Sequence, residues 1–201
     1  RGGKLGVPVD MCHGAKVRRM RQAHVTRGAL LGQAPRDRSV PTARAVPRRF
    51  CYAPRRMIVS RKVVEQAIDR DDVSRFVKEL IVTDGPISLG MVRKRAADAR
   101  GEPKETRGTV LLLHGYGQNR YAWHLPSRSM SCFLAREGYD VFNLDLRGHG
   151  RSAHLGSPRP MCPADYVRED VPSALAAIAE LSGPRPVFLI GHSLGGVVGY
   201  A

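Results

Sequence analysis

The sequence predicts an α/β fold: the amino-terminal part of a mostly parallel sheet with crossover helices, preceded by a disordered basic segment. Three observations carry this. From residue 109 onward, short apolar runs alternate with stretches of helical period. Three of those runs end in glycine-bearing motifs, at the strand ends where parallel sheets gather their chemistry. Finally, the chain's basic excess is concentrated in residues 1–56, which show no sustained period of either kind.

Residues 1–56 hold 14 Lys and Arg against two acids, whereas residues 57–201 hold 19 against 16. The net charge of +15 therefore describes the amino-terminal quarter, not the whole surface. Prolines 8, 35, 41, 47 and 54 interrupt that quarter, and few apolar residues cluster there to offset the entropy of ordering it. The expected division is a basic disordered extension over 1–56 and a partial α/β domain over 57–201, with core motifs at 109–201. An Arg-rich, acid-poor segment is open to two functional readings, a targeting leader or a tail for anionic partners. Nothing in it places aromatics between the basic residues in a stacking pattern, and no nucleic-acid partner is expected.

The elements follow in order. Val64, Ile68, Phe76, Val77 and Leu80 fall near helical spacing, with Asp69–Asp72 as a break, which predicts two short helices. "DGPISLGMVRKRAA" opens with turn residues and reads as one strand of a hairpin. Residues 99–108 are polar and punctuated by Gly and Pro, hence a loop. "TVLLLH" (109–114) is a strand buried on both faces. Residues 127–138 read as a helix capped by Ser127 or Ser129, with Met130, Phe133 and Leu134 inward and Gly138 beyond its end. "DVFNLD" (140–145) is a second strand. Residues 164–183 place Val167, Val171, Leu175 and Ile178 on one helical face, Pro172 starting the main helix. "PVFLI" (186–190) is a third strand, and "SLGGVVGYA" begins another helix.

Three motifs carry chemistry. Gly191-His192-Ser193-Leu194-Gly195 fits G-x-S-x-G, a sharp strand-to-helix turn that projects the serine hydroxyl above the sheet. The pattern alone is weak; its place between an apolar strand and an apolar helix makes it specific. His114-Gly115-Tyr116-Gly117 follows the first strand, where a backbone N–H can join that of Leu194 in holding an oxyanion. His114 is expected to fix that loop rather than act as a base. Asp145 to Ser152, "DLRGHGRS", reads as a structural turn in which Asp145 and Arg147 pair or satisfy loop amides.

Taken together, "VLLLHGYGQN", "VFNLDLRGHGRS" and "VFLIGHSLGG" resemble the α/β-hydrolase family over about residues 85–201, nearest its lysophospholipase-like and serine-aminopeptidase-like branch. The resemblance implies that Ser193 is the catalytic nucleophile, with the amides of Tyr116 and Leu194 as oxyanion hole. It implies hydrolysis of an ester, thioester or amide in a small acyl substrate through an acyl-enzyme. The family's acid and histidine follow the serine. Residues 194–201 contain no Asp, Glu or His. The expectation is thus the amino-terminal part of such an enzyme, inactive alone. The alternative is a non-catalytic hydrolase-like binding module with a basic tail.

No metal-ligand spacing and no phosphate- or dinucleotide-binding glycine pattern occurs, so no cofactor and no metal are expected. No uninterrupted apolar run reaches membrane-spanning length, so no integral membrane segment is expected. Cys12, Cys51, Cys132 and Cys162 are widely spaced, which suits reduced thiols and, by default, a cytoplasmic setting.

Overall fold

A computed structural model describes residues 57–201. The disordered extension expected over 1–56 lies outside the described residues. The sheet has six strands in the order β1-β2-β3-β5-β4-β6. These are β1 (Ile58–Asp69), β2 (Asp72–Val82), β3 (Gly90–Ala96), β4 (Gly108–Leu113), β5 (Tyr139–Leu144) and β6 (Val187–Gly191). β5, β4 and β6 run parallel, while β1, β2 and β3 join them through antiparallel pairings, so the sheet is mixed.

The expected helices between residues 64 and 80 are instead the β1–β2 hairpin. A four-residue spacing, as in Val64 and Ile68, satisfies the two-residue strand period as well as the helical one. The β-branched richness of "IVSRKVVEQAI" and "DVSRFVKELIV" decides for strands. The turn uses Arg70 at φ 38°, and it grips the chain ahead of the next helix. The Arg70 N–H donates to the Ser127 carbonyl at 2.7 Å, and the Ser129 N–H donates to the Ile68 carbonyl at 2.8 Å.

β4 is buried along its whole length, as its unbroken apolar run requires. Leu111 and Leu113 face one core with Met91, Phe142 and Leu144. Val110 and Leu112 face the other, with Phe76, Val141 and Cys132.

The second core is covered by α1 (Met130–Arg136). Ser129 caps it, its hydroxyl accepting from the Cys132 N–H at 3.1 Å. Its buried face is Ser131, Cys132 and Ala135, whereas Met130 and Phe133 are largely exposed. The expected inward residues were therefore partly wrong: small side chains let this short helix lie close to the sheet.

The first core is covered by α2 (Pro163–Asp165), a wide π turn over Tyr166–Asp170, α3 (Val171–Ser182), and α4 (Leu194–Tyr200). Pro172 sits in the first turn of α3, where its missing N–H costs nothing. A buried ionic knot ties the end of α3 to the sheet. Arg93 donates to both Asp140 oxygens at 2.7 Å, and Ser182 donates to the same carboxylate at 2.7 Å.

Candidate active site

The site is built where β4, β5 and β6 end. Ser193 follows β6 at φ 51° and ψ −117°, a conformation that L residues rarely adopt. Two flanking glycines allow this crossing. A Cβ on Gly191 would fall 2.2 Å from the Gly195 carbonyl oxygen, and one on Gly195 would fall 2.3 Å from that of Leu113. Neither position can hold a side chain with the turn intact. The His192 N–H donates to the Leu113 carbonyl at 3.0 Å and ties the elbow to the end of β4.

The loop after β4 packs against this turn. A Cβ on Gly115 would lie 3.3 Å from the Ser193 Cβ. Gln118 joins the two segments: its side-chain oxygen accepts from the Gly115 N–H at 3.0 Å and faces His192 Nδ1 at 3.2 Å. Tyr116 and Leu194 are thus neighbours in sequence of two residues in contact. The Tyr116 side chain is exposed, and neither its backbone N–H nor that of Leu194 donates to a backbone carbonyl among the described residues.

Each nearby imidazole has a structural assignment. His114 is fully buried; the Leu146 N–H donates to its Nε2 at 3.1 Å, so Nδ1 carries the proton and donates to the Gly115 carbonyl at 2.8 Å. Burial pushes its pKa down, only partly offset by that carbonyl. His114 thus fixes the loop, as expected. His149 bridges two loops, donating from Nδ1 to the Arg147 carbonyl at 2.9 Å and accepting at Nε2 from the Gly117 N–H at 3.3 Å. No side chain among the described residues hydrogen-bonds to the Ser193 hydroxyl.

The loop after β5 is held by Asp145 satisfying loop amides, one of the two expected alternatives, while the expected Asp145–Arg147 pair is not formed. Asp145 pairs with Arg120, not Arg147, and accepts from the backbone N–H groups of Arg120 at 2.6 Å and Arg151 at 2.8 Å. Arg147 instead pairs with Asp170 at 2.6 Å and Glu169 at 2.7 Å. Burial raises the Asp170 pKa, with Arg147 and its N–H acting against the rise. Arg120 and Asp170 carried no local sequence signal, because their partners lie far along the chain. Beside these loops is a cavity of about 540 Å³ lined by Tyr116, His149, Arg159 and Tyr166 among others.

Known proteins share this arrangement in sequence. Mouse lipase member K is 26% identical over 62% of this chain and 34% of its own length. Epoxide hydrolase 3 of Siraitia grosvenorii is 30% identical over 47% of this chain and 27% of its own. Caffeoylshikimate esterase of Arabidopsis thaliana is 35% identical over 47% and 27% respectively. The chain spans between a quarter and about a third of the length of these relatives. Residues 110–201 match the profile of the alpha/beta hydrolase family. The strand–elbow–helix around Ser193 and the two preceding loops lie within that segment, and it is this segment that is similar to the alpha/beta hydrolase family.

Proposed function

We propose that Ser193 is the nucleophile of a hydrolase that cleaves an ester, thioester or amide in a small acyl substrate through an acyl-enzyme. The observation that carries this is the backbone of Ser193, held at φ 51° between two glycines with no room for a side chain. Such strain persists where the surroundings enforce it, and here they present a hydroxyl at the mouth of the sheet. The N–H groups of Leu194 and Tyr116 form the oxyanion hole in this reading. The lipase and esterase among the relatives support an acyl substrate by their names.

Attack by Ser193 requires a base to take its proton. Since no imidazole of residues 57–201 engages the hydroxyl, the base and its acid partner are supplied in this proposal by a longer chain, after the serine. The 201-residue chain alone is then nearly inert, keeping only what the oxyanion hole and binding contribute. A fluorophosphonate probe tests both parts. The chain should label slowly, at Ser193 only, and Ser193→Ala should abolish labelling. A longer chain supplying an acid and then a histidine should label rapidly. Rapid stoichiometric labelling of the 201-residue chain would overturn the missing-base reading. Labelling of the longer chain elsewhere than Ser193 would overturn the nucleophile itself.

A further inference from the structure

The loop that carries Tyr116 is held from its far side by an imidazole. His149 Nδ1 lies 2.9 Å from the Arg147 carbonyl, and the Gly117 N–H lies 3.3 Å from His149 Nε2. A carbonyl only accepts and an amide N–H only donates, so the two bonds fix the tautomer. Nδ1 carries the proton and Nε2 is a bare acceptor. The ring is half-buried in the wall of the open cavity beside the site, where solvent protons reach it.

The amide that His149 holds is the pivot of a turn. The Gln118 N–H donates to the Gly115 carbonyl at 3.2 Å, which closes a four-residue turn with Tyr116 and Gly117 at its centre. Gly117 has φ 69°, and Tyr116 has no positive φ. That combination defines a type II turn. Types I and II differ in the orientation of the central peptide, here the Tyr116 carbonyl with the Gly117 N–H. Type I needs a negative φ at the third residue, and glycine adopts either sign. The turn is thus a two-state element, held in one state by an acceptor that a proton can remove. The other groups around His149 leave it as the ring that takes this proton. His114, at 5.0 Å between centroids, is fully buried, and burial pushes its pKa down. Tyr116 and Tyr166 lie at 6.0 and 6.3 Å. Arg147 is paired with Glu169 and Asp170, Asp145 with Arg120, and Arg159 shares the cavity wall.

We propose that His149 is a positioning residue for the oxyanion hole: neutral, it pins the turn that presents the Tyr116 N–H, and protonated, it releases that turn. The proposal rests on the reading of Tyr116 as an oxyanion donor. In the imidazolium both ring nitrogens donate. Its Nε2–H then meets the Gly117 N–H donor to donor, and both are left without an acceptor. Rotation of the central peptide to type I turns the Gly117 N–H away and the Tyr116 carbonyl toward Nε2–H, which removes the conflict. The rotation is taken up by ψ of Tyr116 and φ of Gly117. The residue that offers its N–H to the oxyanion therefore loses its fixed conformation, and the charge of one imidazole selects between the two turn types.

The test uses the whole chain, labelled with ¹⁵N in glycine and histidine. From neutral to mildly acidic pH, the Gly117 amide resonance should move with the same midpoint as the His149 ring nitrogens. This reading needs no variant. His149→Gln supplies an oxygen that accepts the Gly117 N–H but does not titrate, and the Gly117 step should vanish. Fluorophosphonate labelling of Ser193 should fall through the same midpoint by about tenfold, a fraction of the cost of deleting an oxyanion donor. That step should be absent in His149→Gln. His149→Phe, with a ring but no acceptor, should label more slowly than His149→Gln at every pH. A Gly117 amide that ignores the His149 midpoint, or a labelling step that survives His149→Gln, would overturn the proposal. If no chain labels at Ser193, the nucleophile reading fails, and the Gly117 resonance decides this one by itself.

Discussion

The carbonyl oxygen of Leu113 lies 2.3 Å from where Gly195 would carry a Cβ. It also accepts the His192 N–H at 3.0 Å. One backbone oxygen at the end of β4 therefore both fastens the elbow and forbids a side chain on its far flank.

Gly195→Ala should consequently cost at least about 2–3 kcal/mol, since backbone on both sides must move. Gly196→Ala is the control. Its Cβ would meet the Gly191 carbonyl at an ordinary 3.5 Å. Alanine there should be neutral or stabilise by up to about 1 kcal/mol through helix propensity. Urea unfolding of the two variants against the parent chain reads the difference directly.

Ser193→Gly should raise stability by about 1 kcal/mol or more, because glycine adopts the left-handed φ at no steric cost. Ser193→Ala removes the same hydroxyl but keeps the Cβ, and should leave the thermal midpoint close to that of the parent. If the two substitutions shift the midpoint equally, the backbone at residue 193 is not strained.

Two groups on the α1 face give the chain a pH signature. Burial, with Lys94 and Lys78 nearby, lowers the His124 pKa from 6.5 to about 4. The unfolded chain then binds more protons than the folded one between those values, so this contribution is complete above pH 6.5 and is lost as pH falls toward 4. Lys94, lowered from 10.5 to about 8, obeys the same rule higher up: stability should rise as pH increases from about 8 toward 10.5. Urea midpoints measured across this pH range should show both slopes. His124→Gln should flatten the acid one and Lys94→Met the alkaline one.

The sequence made the elbow legible because its constraints are local: two glycines, a serine, a strand before and a helix after. The same holds for β4, whose unbroken apolar run records burial on both faces. The β1–β2 hairpin escapes a reading by period because a spacing of four fits both periods, and the β-branched content of the two segments is what favours strands. The partners of Asp145 and Arg147 were hidden for a different reason. Arg120 and Asp170 lie 25 and 23 residues away from them, and no local pattern says which arginine meets which carboxylate. The facing of Lys62, Lys78 and Lys94 across β1, β2 and β3 was equally invisible, being a property of register rather than of any one segment.

The grip of the hairpin turn on residues 127–129 also bears on the order in which the chain assembles. Arg70 and Ile68 leave the ribosome some tens of residues ahead of Ser127 and Ser129, at a synthesis rate of roughly 5–20 residues per second. The hairpin thus has seconds in which to form before the segment it will hold exists, against microseconds for a hairpin to close. A hairpin formed in that interval would present the Ile68 carbonyl to the Ser129 N–H as it emerges. A long-range contact would then be made in the sequence of a local one.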